Sequence, residues 1–245
     1  RADMAAFYSE ARRQDADMGH VLDILEETGL ADNTLVIATS DHGIPFPRMK
    51  CNLEDSGMHI YFILRGPKGG PVRGGKTTDA LVSHVDVYPT VCDVAGLEKP
   101  DWLQGHSMMP LIDGAAEKIR DEVFSEVTYH AAYEPKRCVR TERWKYIKRY
   151  DGRDTPVLPN CDDSPSKWFW MDHGYGERKP DEECLFDLVF DPNEAHNLVD
   201  DPNHAEVLED MRARLGRWME ATDDPILNGP VPRDSETVRQ TDPDW

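Results

Sequence analysis

Three residues of types that bind metals and anions follow a short apolar stretch near the amino end of the sequence. Residues 34–39 are apolar or β-branched, and Asp41 and His42 come shortly after them. A carboxylate oxygen and an imidazole nitrogen are both ligands of divalent cations. Lys50 follows in a proline-containing loop, and its ammonium group can bind an anion held beside such a metal. The spacing therefore indicates a site for a metal and an anion.

A purely structural interpretation of the same residues stays open. Asp41 can form an Asx turn and Gly43 can supply a positive φ, so that Ser40-Asp41-His42-Gly43 would be no more than a polar turn. Two-residue motifs are weakly specific, and spacing alone does not decide between a turn and a metal site.

The elements before and after these residues predict an α/β region. Residues 4–28 carry apolar side chains at helical spacing. The stretch 34–39 predicts a buried parallel strand, and open α/β sheets bind ligands at the carboxyl ends of such strands. A second strand is expected at 60–65 and a helix at 84–95. This order is typical of part of a larger α/β domain.

After about residue 120 the pattern changes to short strands separated by polar turns. The expected elements are a strand at 123–128, two strands within 136–150, a long loop at 151–183, a strand at 184–189 and a helix at 201–221. We therefore predict two domains, an α/β domain at 1–120 and a smaller α+β domain at 121–245.

The composition disfavours several classes of protein. The chain has 28 Lys and Arg against 47 Asp and Glu, a formal net charge of −19. Such a surface repels nucleic acids and anionic membranes. No apolar run is long enough to span a membrane. The five cysteines include no Cys-x-x-Cys pair, which argues against a zinc or thioredoxin-like site. The first residue is not methionine, which is typical of a processed or partial chain.

Basic residues concentrate between positions 136 and 153. This local excess of charge could receive an anionic sugar chain, or it could be an exposed hairpin with solvated side chains. His130, Tyr133 and Arg137 follow the strand at 125–128 and are expected to line the mouth of a cleft. We expect His130 to contact substrate or to donate a proton. The eight cations of the stretch are Lys136, Arg137, Arg140, Arg143, Lys145, Lys148, Arg149 and Arg153.

Several segments, in the same order along the chain, resemble the second half of type I sulfatases, which use a formylglycine nucleophile. The stretch Asp41-His42-Gly-Ile-Pro-Phe-Pro and the stretch Ser125-Glu126-Val-Thr128 are most similar to heparan N-sulfatases and their bacterial relatives. The other similar segments are residues 17–37, Ser56-Gly57, His84-Val-Asp86-Val-Tyr-Pro89-Thr90, Trp144-Lys-Tyr-Ile147 and residues 185–198.

The resemblance implies a fold and a chemistry. The fold would be alkaline-phosphatase-like: the C-terminal part of a large mixed α/β sheet, followed by a small antiparallel sheet packed by a helix. Asp41 and His42 match a pair of metal ligands that is Asp-Asn in many members and Asp-His in others. Lys50 matches the basic residue that contacts the sulfate. The metal would be Ca²⁺, with Mg²⁺ or Mn²⁺ as alternatives, and with Lys50 it would stabilise charge on the transferring sulfuryl group.

The resemblance also implies a substrate class and a compartment. The substrate would be a sulfated small molecule or glycan, cleaved at a sulfate ester or an N-sulfate. Relatives in this family work in the periplasm, outside the cell or in lysosomes.

One part of the sulfatase pattern is missing from this sequence. No cysteine lies in the Cys-x-Pro/Ala-x-Arg motif that gives formylglycine, and the two acidic metal ligands of the family's amino-terminal half are not found. The chain therefore resembles a C-terminal half that would need the N-terminal half of the same protein and would not catalyse alone. Two alternatives remain: a phosphodiesterase or phosphonate monoester hydrolase of the same superfamily, and a non-catalytic binding module.

Overall fold

A computed structural model describes residues 1–72 and 74–232 of the chain. The helices are α1 (Ala2–Glu27), α2 (Asp55–Met58), α3 (Val87–Ala95), α4 (Met109–Asp113), α5 (Pro165–Met171) and α6 (Ala205–Ala221). The strands are β1 (Val36–Thr39), β2 (Phe62–Arg65), β3 (Glu122–Tyr129), β4 (Tyr133–Thr141), β5 (Trp144–Arg149) and β6 (Glu183–Asp187). No helix among the described residues has the length and apolar character needed to cross a membrane.

The chain divides into two compact units that are described separately below. The first contains Arg1–Ser40 and Tyr61–Asp121, and the second contains Asp41–Ile60 and the chain from Glu122 on. The segment with the candidate site residues therefore packs with the C-terminal sheet. The division of the chain into an α/β domain at 1–120 and a smaller α+β domain at 121–245 stays a prediction.

In the first unit, β1 and β2 pair antiparallel, with Val36 opposite Arg65 and Thr39 opposite Phe62. The prediction of a buried parallel strand was wrong on both points, because β1 pairs antiparallel here and its residues are only half-buried. A parallel pair needs a long crossover that usually contains a helix. The connection between β1 and β2 holds only the four-residue α2, and an apolar run carries no information about strand direction.

Asp86 fixes the start of the helix predicted at 84–95. Its carboxylate and Ser83 form a capping box, in which each side chain accepts a hydrogen bond from the other residue's backbone. Asp86 is fully buried, accepts the His106 backbone N–H at 2.7 Å and pairs with Arg120. A buried charge needs such partners, so Asp86 has a structural role.

The second unit is built on a four-stranded antiparallel sheet with the order β3-β4-β5-β6. Helix α6 packs on one face of this sheet, where Val139, Tyr146 and Leu185 form a core with helix residues. On the other face Cys138, Ile147 and Phe186 pack against Leu53 of the segment Asp41–Ile60. The prediction of a small antiparallel sheet with a packed helix is confirmed.

Helix α6 follows from its sequence. The Asp201 carboxylate accepts the Asn203 backbone N–H at 2.9 Å, and Pro202 occupies the first turn. The buried residues recur every three or four positions, at Leu208, Met211, Leu215 and Met219. Burying a side chain of this size contributes about 1.5–3 kcal/mol before entropy is counted, so this stripe anchors the helix.

The prediction of one long loop at 151–183 was wrong, because the segment contains α5. The helix starts at a Ser-Pro pair: Ser164 Oγ accepts the Lys167 backbone N–H at 3.1 Å, and Pro165 is the first helical residue. These are standard helix-start residues. The prolines, glycines and aspartates on either side obscured them.

Candidate active site

The segment Asp41–Ile60 folds back on itself through two glycines. The Gly43 N–H donates to the Gly57 carbonyl at 2.8 Å. A methyl group on Gly43 would lie 2.0 Å from the Ser56 carbonyl oxygen, and one on Gly57 would lie 2.3 Å from the Met49 carbonyl oxygen. Gly43 is therefore required for close backbone approach, and the positive φ considered for it is absent.

Asp41 and His42 present one oxygen and one nitrogen side by side. Asp41 Oδ2 lies 3.6 Å from His42 Nε2, and the Asp41 side chain is 85% exposed. His42 Nδ1 lies 2.6 Å from the Gly43 carbonyl, which can only accept, so Nδ1 carries the proton. Nε2 is then the ring nitrogen that can bind a metal, and a carbonyl partner of this kind commonly orients metal-binding histidines.

These two side chains fit a divalent cation as part of its ligand set. Their donor atoms are close enough to converge on one ion, and the mixture of carboxylate and imidazole suits Ca²⁺, Mg²⁺ or Mn²⁺. Within residues 1–72 and 74–232 no group of three or more His, Cys, Asp or Glu side chains has the geometry of a metal site. The pair therefore supplies two ligands, and further ligands would complete the shell.

Lys50 lies between two strained backbone positions. Arg48 and Cys51 have φ values of 63° and 64°, in the left-handed region that residues other than glycine rarely adopt. Such strain costs of order 1 kcal/mol or more per residue and concentrates at functional sites. The Lys50 ammonium group reaches Asp162, whose two carboxylate oxygens lie 3.1 and 2.9 Å from Nζ.

His130 belongs to the same cluster. His130 follows β3 and is exposed as a whole. Its pKa is lowered, first because part of the side chain is desolvated and then because of the positive charge of Lys50. Asp162 acts in the opposite direction, and His42 also contributes to the lowering. Interactions between charges weaken with distance, so these groups lie near His130. The structure therefore brings together His42, Lys50, His130 and Asp162.

Tyr133 and Arg137 have other partners. The Tyr133 hydroxyl accepts the Val231 backbone N–H at 3.2 Å. Arg137 is 1% exposed and its guanidinium binds Asp224 at 2.5 Å and Glu126 at 3.1 Å. These contacts give Arg137 a structural role beside α6, and we leave it out of the site.

The basic stretch at 136–153 is mostly buried or paired, which contradicts both the open glycan-binding patch and the solvated hairpin. Lys136 and Lys145 are buried, and Arg149 is nearly so. The high net acidity of the chain provides the partners for these cations. Carboxylates lie within 4 Å of Lys136, Arg137, Arg140, Arg143, Lys145, Lys148 and Arg149.

Two of these lysines hold the segment that carries Lys50. Lys136 Nζ donates to the Cys51 carbonyl and to Asn52 Oδ1, both at 3.0 Å. Lys145 is 0% exposed and binds Asp55 at 2.5 Å and Glu194 at 2.7 Å. Lys136 therefore fixes the backbone next to Lys50, and Lys145 fixes the start of α2.

Glu194, together with Lys145, holds the start of α2. Its Oε2 accepts the Asp55 backbone N–H at 2.5 Å, at the amino end of α2. A carboxylate there is favoured because the first N–H groups of a helix lack partners. Burial raises the pKa of Glu194 above its usual range despite the opposing charge of Lys145. Sequence reasoning missed the supporting roles of Lys136, Lys145, Glu194 and Asp162, since their partners are remote along the chain.

Comparison with protein-family models places part of the chain. Residues 49–169 match the model described as N-sulphoglucosamine sulphohydrolase, C-terminal. The matched range contains Lys50, His130 and Asp162, together with β3, β4, β5 and most of α5.

The chain is similar to curated sulfatases. The chain is 32% identical over 257 residues to N-sulphoglucosamine sulphohydrolase of Homo sapiens, covering 94% of this chain and 50% of that protein. It is 30% identical over 226 residues to an ulvan-active sulfatase of Formosa agariphila, covering 90% of this chain and 44% of that protein. The chain thus spans about half the length of the curated relatives it matches.

Solved structures confirm the predicted fold class. A 2-O GAG sulfatase superimposes with a TM-score of 0.68 at 27% identity, over 87% of this chain and 42% of that chain. The phosphonate monoester hydrolase of Agrobacterium radiobacter gives a TM-score of 0.64 at 26% identity, over 89% of this chain and 43% of that chain. The alkaline-phosphatase-like architecture is therefore common to the sulfatases and to this neighbour.

Proposed function

We propose that this chain, which belongs to the sulfatase family and matches its C-terminal domain, supplies part of the metal and sulfate site of a sulfatase. One observation carries the proposal: His42, Lys50 and His130 lie together, with Asp41 beside His42, in a chain of this family. A site for a sulfate group needs positive charge and hydrogen-bond donors, which these residues provide.

Each of these residues takes a role that fits its surroundings. Asp41 Oδ2 and His42 Nε2 would hold the cation, with Ca²⁺ as the first candidate and Mg²⁺ or Mn²⁺ as alternatives. When bound, the cation supplies charge that stabilises the sulfuryl oxygens. Lys50 would bind a sulfate oxygen, because an ammonium group has three donors and Asp162 occupies at most two. The exposed His130 would contact the substrate beside Lys50.

The substrate class follows from the relatives. The names of two of them specify N-sulphoglucosamine and ulvan. We propose a sulfated carbohydrate as the substrate, cleaved at a sulfate ester or an N-sulfate. Tyr133, which follows His130 in the chain, stays a predicted substrate contact.

The remaining catalytic groups would come from the N-terminal half of the same protein. The family's formylglycine and two further acidic ligands belong to that half, and this chain covers only half of its human relative. Helix α1 supports this proposal, because none of its residues is buried and Val21 and Ile24 are exposed. A two-stranded sheet such as β1-β2 is marginal alone, so we expect further strands to extend it.

Phosphonate monoester hydrolysis is the second candidate activity. The solved hydrolase of that class has nearly the same structural similarity as the sulfatase. Assays of sulfate and phosphonate esters side by side separate the two. A non-catalytic module would turn over neither ester.

Replacing Asp41 tests the metal role in the full-length protein. Asp41→Ala should lose bound metal and reduce turnover of N-sulfoglucosamine or 4-nitrophenyl sulfate by about 100-fold or more. Losing a residue that only hydrogen-bonds to a metal ligand already costs about 10–100-fold, and losing the ligand itself should cost at least as much. Metal content is measured by mass spectrometry of the purified protein. The control is Asp32→Ala, which removes only an exposed ion pair with Lys68. Full activity and metal content in Asp41→Ala would refute the assignment.

A further inference from the structure

The Lys50 ammonium group has a carboxylate partner inside the candidate site. Asp162 reaches Lys50 Nζ with both oxygens, at 2.9 and 3.1 Å. The Lys50 side chain is 19% exposed and that of Asp162 is 42% exposed, so the pair is partly shielded from water. Asp162 also acts electrostatically on His130. The cation assigned to sulfate binding is therefore already paired with a carboxylate before any substrate arrives.

We infer that Asp162 is a specificity-determining residue that limits the positive charge around Lys50 and so selects monoanionic sulfate esters over dianionic phosphate monoesters. The inference rests on the proposed function, because it assigns to Lys50 the contact with the transferred group. Asp162 lies 112 positions from Lys50 in the chain and joins the site only through the fold.

The physical reason is the difference in substrate charge. A sulfate ester carries one negative charge, whereas a phosphate monoester carries about 1.5 to 2 near pH 7. A carboxylate next to the anion site repels both, but it repels the doubly charged ester about twice as strongly. A phosphate diester carries one charge, as a sulfate ester does. Asp162 should therefore disfavour phosphate monoesters relative to sulfate esters and leave the ratio of diester to sulfate ester unchanged.

The pair also positions Lys50. With two carboxylate oxygens on Nζ, the ammonium group keeps one donor direction, which can point at a sulfate oxygen. Removing Asp162 should therefore lower turnover of the sulfate ester modestly. The ratio between substrates is the property that a purely structural role would not change.

The test compares three variants of the full-length enzyme on three substrates. The variants are Asp162→Asn, which removes the charge, Asp162→Glu, which retains it, and Asp163→Asn. Asp163 is the matched control because it neighbours Asp162 but pairs with Lys167 at 2.8 Å. The substrates are 4-nitrophenyl sulfate, 4-nitrophenyl phosphate and bis(4-nitrophenyl) phosphate. The readout is kcat/KM for each at one pH near 7.5.

We expect Asp162→Asn to raise the ratio of phosphate monoester to sulfate ester turnover about tenfold or more, as one removed charge at this range allows. The ratio of diester to sulfate ester should stay within about threefold, and Asp162→Glu and Asp163→Asn should keep both wild-type ratios. An unchanged monoester ratio in an active Asp162→Asn enzyme would overturn the inference and leave the proposed function standing. Equal gains for monoester and diester would also overturn it. A wild-type enzyme that hydrolyses no sulfate ester would refute the proposed function and this inference together.

Discussion

The two faces of the four-stranded sheet are built from the same strands but stabilised in different ways. The helix face, covered by α6, is apolar and includes Val139, Tyr146 and Leu185. The loop face, covered by the segment Asp41–Ile60, combines a small apolar cluster with the buried lysines Lys136 and Lys145. The same alternation of side chains along β4 and β5 produces both faces.

The difference follows from what covers each face. A helix satisfies its own backbone hydrogen bonds, so it can be held by apolar side chains alone. An irregular segment brings unpaired carbonyls, which need donors when they are buried. Lys136 supplies one to the Cys51 carbonyl. Hydrophobic packing is non-directional, whereas these contacts have defined geometry. The loop face can therefore fix the segment that carries Lys50 in one position.

The largest expected effect is on the loop face, at Lys145. Lys145→Met removes the ammonium group that pairs with both Asp55 and Glu194. The two carboxylates lose this partner in a largely buried environment. Breaking a buried ion pair in this way costs about 3–5 kcal/mol. We expect a loss of that size in the free energy of unfolding of the full-length protein, measured by urea denaturation. The sulfatase activity proposed for the full-length protein should fall as well, because the segment loses its attachment.

Lys148→Met is the matched control for that substitution. Lys148 lies on the same strand but its side chain is on the helix face, where it pairs with Glu183 at 3.3 Å and is one-third exposed. Pairs that are open to water contribute about 0–1 kcal/mol. If Lys145→Met were as mild as Lys148→Met, the loop face would not depend on its ions, and the contrast between the faces would be wrong.

The next effect is on the helix face, at Leu215. This residue of α6 is 2% exposed and belongs to the apolar core. Leu215→Ala leaves a cavity, and such changes cost about 2–5 kcal/mol. We expect destabilisation of the middle of that range but unchanged kcat and KM at temperatures where the variant is folded. Leu227→Ala, at an exposed leucine, should change stability little. A change in KM in Leu215→Ala would mean that the helix face also positions the site.

The packing of the helix face could be predicted from the sequence, whereas the buried ion pairs of the loop face could not. The apolar stripe of α6 has a helical period, and Leu208, Met211 and Leu215 are indeed buried. The site residues Asp41, His42 and Lys50 were proposed from their place after a strand, and their roles stay predictions. Their supporting residues could not be found in this way, because a lysine in a strand normally indicates an exposed position. The burial of Lys145 is explained only by Asp55 and Glu194, which are 90 and 49 positions away.

Acid should separate the two faces further, because the loop face contains carboxylates whose pKa values are shifted in opposite directions. Burial alone would raise the pKa of Asp55, but the charges of Lys145 and Arg140 lower it below its usual range. Glu134 behaves in the same way beside Lys136 and Arg149, whereas the pKa of Glu194 is raised by burial. A lowered pKa contributes stability above the unfolded value, near pH 4, that is lost as pH falls through the folded value.

A raised pKa has the opposite sign, so protonating Glu194 in acid removes a cost and partly offsets the loss from Asp55 and Glu134. In Lys145→Met, Glu194 loses its cation and Asp55 keeps only Arg140, and these carboxylates destabilise the fold only while they are ionised. The stability gap between wild type and Lys145→Met should therefore shrink between pH 7 and pH 4, approximately the range in which carboxylates protonate. The gap for Leu215→Ala should stay constant, since a cavity does not titrate. Urea unfolding at several pH values measures both differences in the free energy of unfolding. If the difference for Lys145→Met did not depend on pH, the destabilisation would come from lost packing and not from unpaired charge.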